Sequence, residues 1–251
     1  MKNYLIYFLL LLTGFAYGQT NINQVFKKYG VKGSTTIYNQ NKRKWLYTDS
    51  VDAMRQTLPL STFNIINSCI ALESGVLRTE TEVIAGSNNT RSNLNTAFKS
   101  SNNIFFQGLS KKVGKKDYLE FMKACNYGNA GFSETGNDFW NMGPLRISPT
   151  GQINFLRAFL REQLPFSPRT FRVVKELMIT EKTDNYLLLD QSGISTAGND
   201  FSWYIGAVKI GDNAFYFATR ILKPAGKTKA ATDKLAKVIT KDVLKQLKIT
   251  N

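Results

Sequence analysis

Ser202–Ile210 and Ala214–Leu222 are rich in β-branched and aromatic residues, and only Gly211-Asp212-Asn213 separates them. Such side chains suit a pleated, half-buried surface, and the connection between them is a tight-turn signal. The pair predicts a long antiparallel hairpin, and any fold for this chain must be built around its sheet. Asn185–Asp190 predicts a further strand just upstream. Ser34–Tyr38 and Lys44–Thr48, joined by the polar turn Asn39-Gln40-Asn41-Lys42, predict two more near the start. Lys227–Leu247 reads as a closing helix, with Ala231, Leu235, Val238, Val243 and Leu247 near helical spacing.

The middle of the chain is helical. Asn23–Tyr29 is a short helix stopped by Gly30, and Thr62–Ser74 lies between Pro59 and Gly75. In the latter, Ile65, Ile66, Cys69, Ile70 and Leu72 cover most of the circumference, which predicts a central buried helix. Asn88–Asn95 reads as polar loop; Asn103–Val113 and Lys116–Ala124 are helical by pattern. Ser148-Pro149 and Ser167-Pro168 each place a capping serine before proline at the first helical position, the first helix running to about Leu164. The expected class is α+β: an antiparallel sheet flanked by N- and C-terminal helices, plus a helical lobe, with the lobe boundary as the default site.

Composition then removes chemistries. The chain has 251 residues, no histidine, two cysteines and a formal charge of +15. Triads and pairs that use an imidazole base are excluded, as are Cys/His zinc sites; no metal or other cofactor is implied. A nucleophile here would draw its base from lysine, a carboxylate or tyrosine. Cys69 and Cys125 fall in apolar helical patterns and read as buried free thiols. Met1-Lys2-Asn3, the apolar run Tyr4–Leu12 and the small-x-small Ala16-Tyr17-Gly18 predict a signal peptide over residues 1–18. Residues 19–251 would then form one domain, periplasmic or secreted, with no membrane-spanning segment after signal removal. The positive charge suits anionic surroundings outside the cell, and nucleic acid is not an expected partner of an exported chain.

Four stretches fall in a telling order. Ser61-Thr62-Phe63-Asn64 opens a helix that continues through Asn67-Ser68 to Ala71-Leu72-Glu73-Ser74-Gly75. Ser101-Asn102-Asn103 precedes Phe105-Phe106-Gln107. Tyr127-Gly128-Asn129 precedes Phe139-Trp140 and Leu145-Arg146-Ile147-Ser148. Gln191-Ser192-Gly193 precedes Trp203-Tyr204-Ile205-Gly206. In this order the set resembles the class D (oxacillinase-type) serine β-lactamases and the related penicillin-binding transpeptidase-like sensor domains, over roughly Tyr38 to Leu247. Taken alone, Ser61 reads as a helix N-cap and Tyr127-Gly128-Asn129 as a tight turn. In the ordered set, Ser61 holds the nucleophile position and Ser101 the second catalytic serine. Asn103, Tyr127, Asn129, Gln191, Ser192 and Gly193 hold positions that the resemblance assigns to substrate binding.

The catalytic motifs are degenerate. The family pattern Ser-x-x-Lys places nucleophile and base three residues apart; here the lysine position holds Asn64. The resemblance implies that this lysine is carboxylated, that the carbamate activates both serine and the deacylating water, and that the position of Trp140 contacts it. Asn64 cannot form a carbamate, so Trp140 is expected to be a core aromatic. Asn103 replaces a usual apolar residue, and its amide is placed to make up part of the hydrogen bonding lost at position 64. Gln191 replaces the lysine of a Lys-Thr-Gly or Lys-Ser-Gly motif. The arginine that would pair with a β-lactam carboxylate aligns near Ala236, with Lys234 and Lys237 as stand-ins. The implied oxyanion hole uses the backbone N–H of Ser61 and one just after Gly193. Two functions follow from the resemblance: a serine acyl-enzyme with weak or absent β-lactam hydrolysis, or a non-catalytic module on the same fold that binds a cell-wall peptide or a partner protein.

Overall fold

The structure, a computed structural model, describes residues 22–85, 91–133, 137–193, 200–223, 226 and 228–250. The expected signal peptide and its cleavage pattern lie outside these residues. The expected hairpin is present as β7 (Phe201–Ile210) and β8 (Asn213–Leu222), in register from Phe201 opposite Leu222 to Ile210 opposite Asn213. Gly211 makes the turn at φ +52°, a conformation glycine adopts without strain. β8 pairs antiparallel with β1 (Gly33–Asn39), which pairs with β2 (Lys44–Tyr47). On the other side β7 pairs with β6 (Leu187–Gly193), and β6 with β5 (Ile179–Lys182). The order is β2-β1-β8-β7-β6-β5.

Two points correct the sequence reading of this sheet. β5 was not expected: its residues Ile-Thr-Glu-Lys show no alternation, because an edge strand faces water along its length. β6 also runs beyond Asp190, so Gln191-Ser192-Gly193 lies on the strand itself. A short ribbon, β3 (Ile84–Ala85) with β4 (Arg91–Ser92), stands apart from the main sheet.

One face of the sheet is covered by α1 (Asn23–Lys28) and α8 (Lys229–Gln246), which bury Ile37, Leu188, Tyr204, Val208, Phe217 and Ile221. α8 differs from the pattern read in the sequence. Its buried positions are Thr232, Ala236, Ile239, Thr240, Val243 and Leu244, while Val238 points outward. Threonine hydroxyls account for the shift: Thr240 Oγ1 donates to Thr219 Oγ1 at 2.7 Å, and Thr219 shares a 2.8 Å bond with Thr35. Buried hydroxyls with partners are admitted at little cost.

The opposite face carries the helical lobe. A 3-10 turn at Leu60–Phe63 leads into α2 (Asn64–Glu73), buried at every position from Asn64 to Leu72, as expected of a central helix. Around it pack α4 (Asn103–Val113), α5 (Lys115–Ala124) and α7 (Pro168–Met178), while α6 (Pro149–Leu160) lies on the sheet against β8, β1 and β7. Ser148 and Ser167 cap α6 and α7 as their Ser-Pro signals predict, accepting from Gly151 N–H and Thr170 N–H; such caps contribute about 1 kcal/mol each. α6 stops at Leu160 rather than Leu164, where Glu162 turns the chain at φ +58°. The expected polar loop before Ser101 in part forms α3 (Leu94–Ser100), capped by Asn93 on Thr96 N–H.

Candidate functional site

Ser61 sits in the 3-10 turn that opens α2. Residues three apart in such a turn eclipse one another, so Asn64 stacks along the axis from Ser61, and Asn64 N–H bonds to the Ser61 carbonyl. Both are deeply placed, Ser61 with 1 % and Asn64 with 2 % of its surface exposed. Leu60, just before the serine, is buried at φ +54° and donates its N–H to the Trp140 carbonyl at 3.1 Å. A bulky non-glycine residue in that region stores backbone strain. The aromatic packing beneath holds it: Phe63 stacks on Trp140 at 5.2 Å and meets Phe139 and Tyr127 edge-on at 5.2 and 5.7 Å. Trp140 is the core aromatic expected, and its Nε1–H is buried with no hydrogen-bond acceptor among the described residues.

Three of the four motifs meet at this turn. Gln191 on β6 donates Nε2–H to Ser101 Oγ at 3.2 Å and approaches the Ser61 carbonyl at 3.4 Å. Ser101 ends α3 in the left-handed region at φ +50°. Gly193 was expected to keep the strand open for a substrate. The structure gives a packing reason for a glycine there: a Cβ would lie 2.5 Å from Trp203 Cβ and 3.0 Å from Thr62 Cγ2. The second oxyanion donor, just after Gly193, lies outside the described residues.

Beside this junction is a cleft of about 370 Å³, lined on its polar side by Lys99, Ser101, Thr180, Asp190, Gln191, Ser192 and Lys237. Of the two lysines offered as stand-ins for a carboxylate anchor, Lys237 is on the lining, with Lys99 as a second cation there. Ala236 is buried, and Lys234 is not on the lining. Lys237 is not a free cation: its Nζ lies 3.8 Å from Asp190 Oδ2. Asp190, 5 % exposed, also accepts from Thr180 Oγ1. Burial pushes its carboxyl above the usual carboxylate range, with Lys237 opposing the shift. Sequence reasoning missed Asp190; a lone carboxylate after Leu187-Leu188-Leu189 was the available signal.

Asn103 has a different task from the one expected. Its Nδ2 donates to Asp138 Oδ2 at 3.0 Å and its Oδ1 accepts from Asn141 Nδ2 at 2.9 Å. Asp138, 7 % exposed, also accepts from Gln107 Nε2 at 2.9 Å and Asn141 Nδ2 at 2.6 Å. This amide-carboxylate cluster ties α4 to the segment that carries Trp140.

Tyr127 and Asn129, expected to bind substrate, do not line this cleft: Tyr127 lies in the core and Asn129 is exposed. Tyr127 is fully buried against Phe63 and Phe155. Burial pushes its phenol far up, so it is no base at neutral pH. Asn129 clamps a loop: its Oδ1 accepts from Gly131 and Arg146 N–H, and its Nδ2 donates to the Pro144 carbonyl. Glu73 is engaged at the far end of α2 by Ser167 and Thr170. Cys69 and Cys125 are free and buried, and burial pushes the Cys125 thiol up to about 12. Among the described residues no cluster of three or more carboxylates and thiols converges as a metal site.

Comparison with known proteins agrees with this geometry. A family described as Penicillin binding protein transpeptidase domain matches residues 27–245. Beta-lactamase OXA-48 of Klebsiella pneumoniae is 34 % identical over 236 residues, covering 90 % of this chain and 88 % of that protein. Regulatory protein BlaR1 of Bacillus licheniformis is 27 % identical over 223 residues, 85 % of this chain and 36 % of that larger protein. The crystal structure of a class D beta-lactamase from Sebaldella termitidis superposes with a TM-score of 0.87 at 32 % identity, covering 92 % of this chain and 97 % of that one. With sheet order, the buried serine turn and these likenesses in agreement, the chain belongs to the penicillin-binding transpeptidase family that includes the class D serine β-lactamases.

Proposed function

We propose that this protein is an exported, penicillin-binding serine acyl-enzyme homologue in which β-lactam hydrolysis is impaired or absent. One observation carries the reading: both positions where the resemblance places a lysine at the serine hold neutral amides, Asn64 buried beside Ser61 and Gln191 bonded to Ser101. Acylation requires Ser61 Oγ to attack the β-lactam carbonyl while its proton passes to a base; the ring C–N bond then breaks and its nitrogen takes a proton. An amide has no basic lone pair for the first transfer. Losing a general base costs ~10²–10⁴-fold, and hydrolysis of the ester by water meets the same lack again. The Trp140 Nε1–H without an acceptor fits a site from which a lysine carbamate has been lost.

In this reading Ser61 and Ser101 retain the catalytic positions. Lys237 and Ser192 receive a ligand carboxylate, with Asp190 holding Lys237 in place. Asn103 and Tyr127 act through the packing around the serine turn, and Asn129 through the loop it clamps. No described helix is long and apolar enough to cross a membrane, which suits release after signal cleavage.

The reading is tested by the intact mass of the protein after incubation with benzylpenicillin, alongside turnover of a chromogenic cephalosporin with and without bicarbonate. Slow, substoichiometric acylation and near-background turnover that bicarbonate does not raise support it; fast bicarbonate-dependent turnover refutes it. A second reading, a non-catalytic module for a cell-wall peptide or a partner, rests on the Gln191–Ser101 bond, which closes the base of the cleft with neutral groups. Reversible binding of a stem peptide with no adduct at any time would favour it.

A further inference from the structure

Far from Ser61, a groove of about 460 Å³ opens at the end of the sheet where β2 is the edge. Directly opposed residues share a face of a sheet, so Leu46, Ile37 and Phe217 form one row and Lys44, Asn39 and Phe215 the next. Phe217 belongs to the core beneath α8, so both rows face that helix. The helix ends at Gln246, short of the edge. Lys248 turns the chain at φ +55°, and Ile249 N–H closes back on the Leu244 carbonyl. The sheet floor is left partly open: Leu46 is 39 % exposed and Phe215 half-buried, with Leu247 and Ile249 as the wall. Lys42, Lys44 and Lys248 stand on the rim; among the described residues no carboxylate lines the groove and none of the three is ion-paired.

We propose that this groove binds a single acyl-chain carboxylate, the chain along Ile37, Leu46, Phe215 and Leu247 and the headgroup among Lys42, Lys44 and Lys248. An apolar floor with one-signed charge at its rim is the complement of an anionic amphiphile. A second copy of the chain is disfavoured, because a self-complementary contact would bring the two sets of lysines together. The site is independent of the Ser61 reading.

The chain carries its own reporter. Trp45 borders the groove through its place on β2 between Lys44 and Leu46. Its half-buried ring packs on Tyr38 and Tyr47 on the opposite face, one sheet layer from the floor, whereas Trp140 and Trp203 are fully buried in the core. Stearate bearing a nitroxide on its chain should quench Trp45 fluorescence saturably, and Trp45→Phe should remove the quenching. Displacement by alkyl carboxylates should tighten about fourfold per added methylene from eight to twelve carbons. Lys44→Glu with Lys248→Glu should weaken binding at least tenfold, and Leu46→Asp should abolish it. If Leu46→Asp unfolds in a thermal scan, the surface lysine pair carries the test. Equal displacement by dodecyltrimethylammonium, quenching only in the presence of anionic vesicles, or unchanged affinity in the lysine variant would each overturn the proposal.

Discussion

Asn103→Val installs the apolar residue that the resemblance leads one to expect, and the structure predicts that it is harmful here. The change removes a 3.0 Å bond to the Asp138 carboxylate and a 2.9 Å bond from Asn141. A hydrogen bond to a charged group contributes about 1.5–3 kcal/mol and a neutral one about 0.5–1.5 kcal/mol. Asn103 is only half-buried, so water recovers part of the loss. The expected destabilisation is about 2–4 kcal/mol, a fall of roughly 5–15 °C in Tm for a chain of this size. Urea unfolding followed by fluorescence gives the free energy, and a cycle with Asp138→Ala gives the coupling. The Asp138→Ala background should shrink the cost of Asn103→Val by at least 1 kcal/mol, because the bonded partner is already gone. A single-variant cost below about 0.5 kcal/mol, or strict additivity, would refute the assignment of this cluster as the tie between α4 and the Trp140 segment.

Three further outcomes are expected. Asn64→Lys alone should add little acylation, whereas Asn64→Lys with Gln191→Lys should give a benzylpenicillin adduct by intact mass that Ser61→Ala removes; an adduct as fast in the single variant would show that Gln191 is not limiting. Gly193→Ala forces its Cβ to 2.5 Å from Trp203 Cβ and should lower stability by about 1–3 kcal/mol, with an unchanged Tm as the contrary result. Because the folded-state pKa of Asp190 is raised, its contribution is fully present below about 4, the ordinary aspartate value, and is lost as pH rises through the raised value. Over that window the wild type should lose stability relative to Asp190→Asn in urea midpoints, and an opposite slope would contradict the burial argument.

The elements that the sequence announces clearly are those with strong local signals. Ser148-Pro149 and Ser167-Pro168 start their helices where expected, and Gly211 turns its hairpin. The elements it conceals depend on partners elsewhere in the chain. The buried face of α8 is displaced because Thr232 and Thr240 find hydroxyl and carbonyl acceptors, which no hydropathy pattern registers. β5 is recognisable only once β6 lies beside it.

The candidate site divides the same way. Ser61, Ser101 and Gln191 come together from three distant segments, and their ordered motifs make that association legible. Asp138 and Asp190 do not belong to any of those motifs. Their roles come from burial and from the amides, hydroxyl and ammonium around them, which only the folded chain brings into place.

The most direct test of the central claim is the intact mass of the wild-type protein against time in excess benzylpenicillin, with Ser61→Ala in parallel. The account predicts an unmodified protein over minutes and, at most, a partial single adduct over hours that is missing from Ser61→Ala. Full acylation within seconds, followed by return to the free mass as the drug is consumed, would contradict it and show that a working base stands beside Ser61.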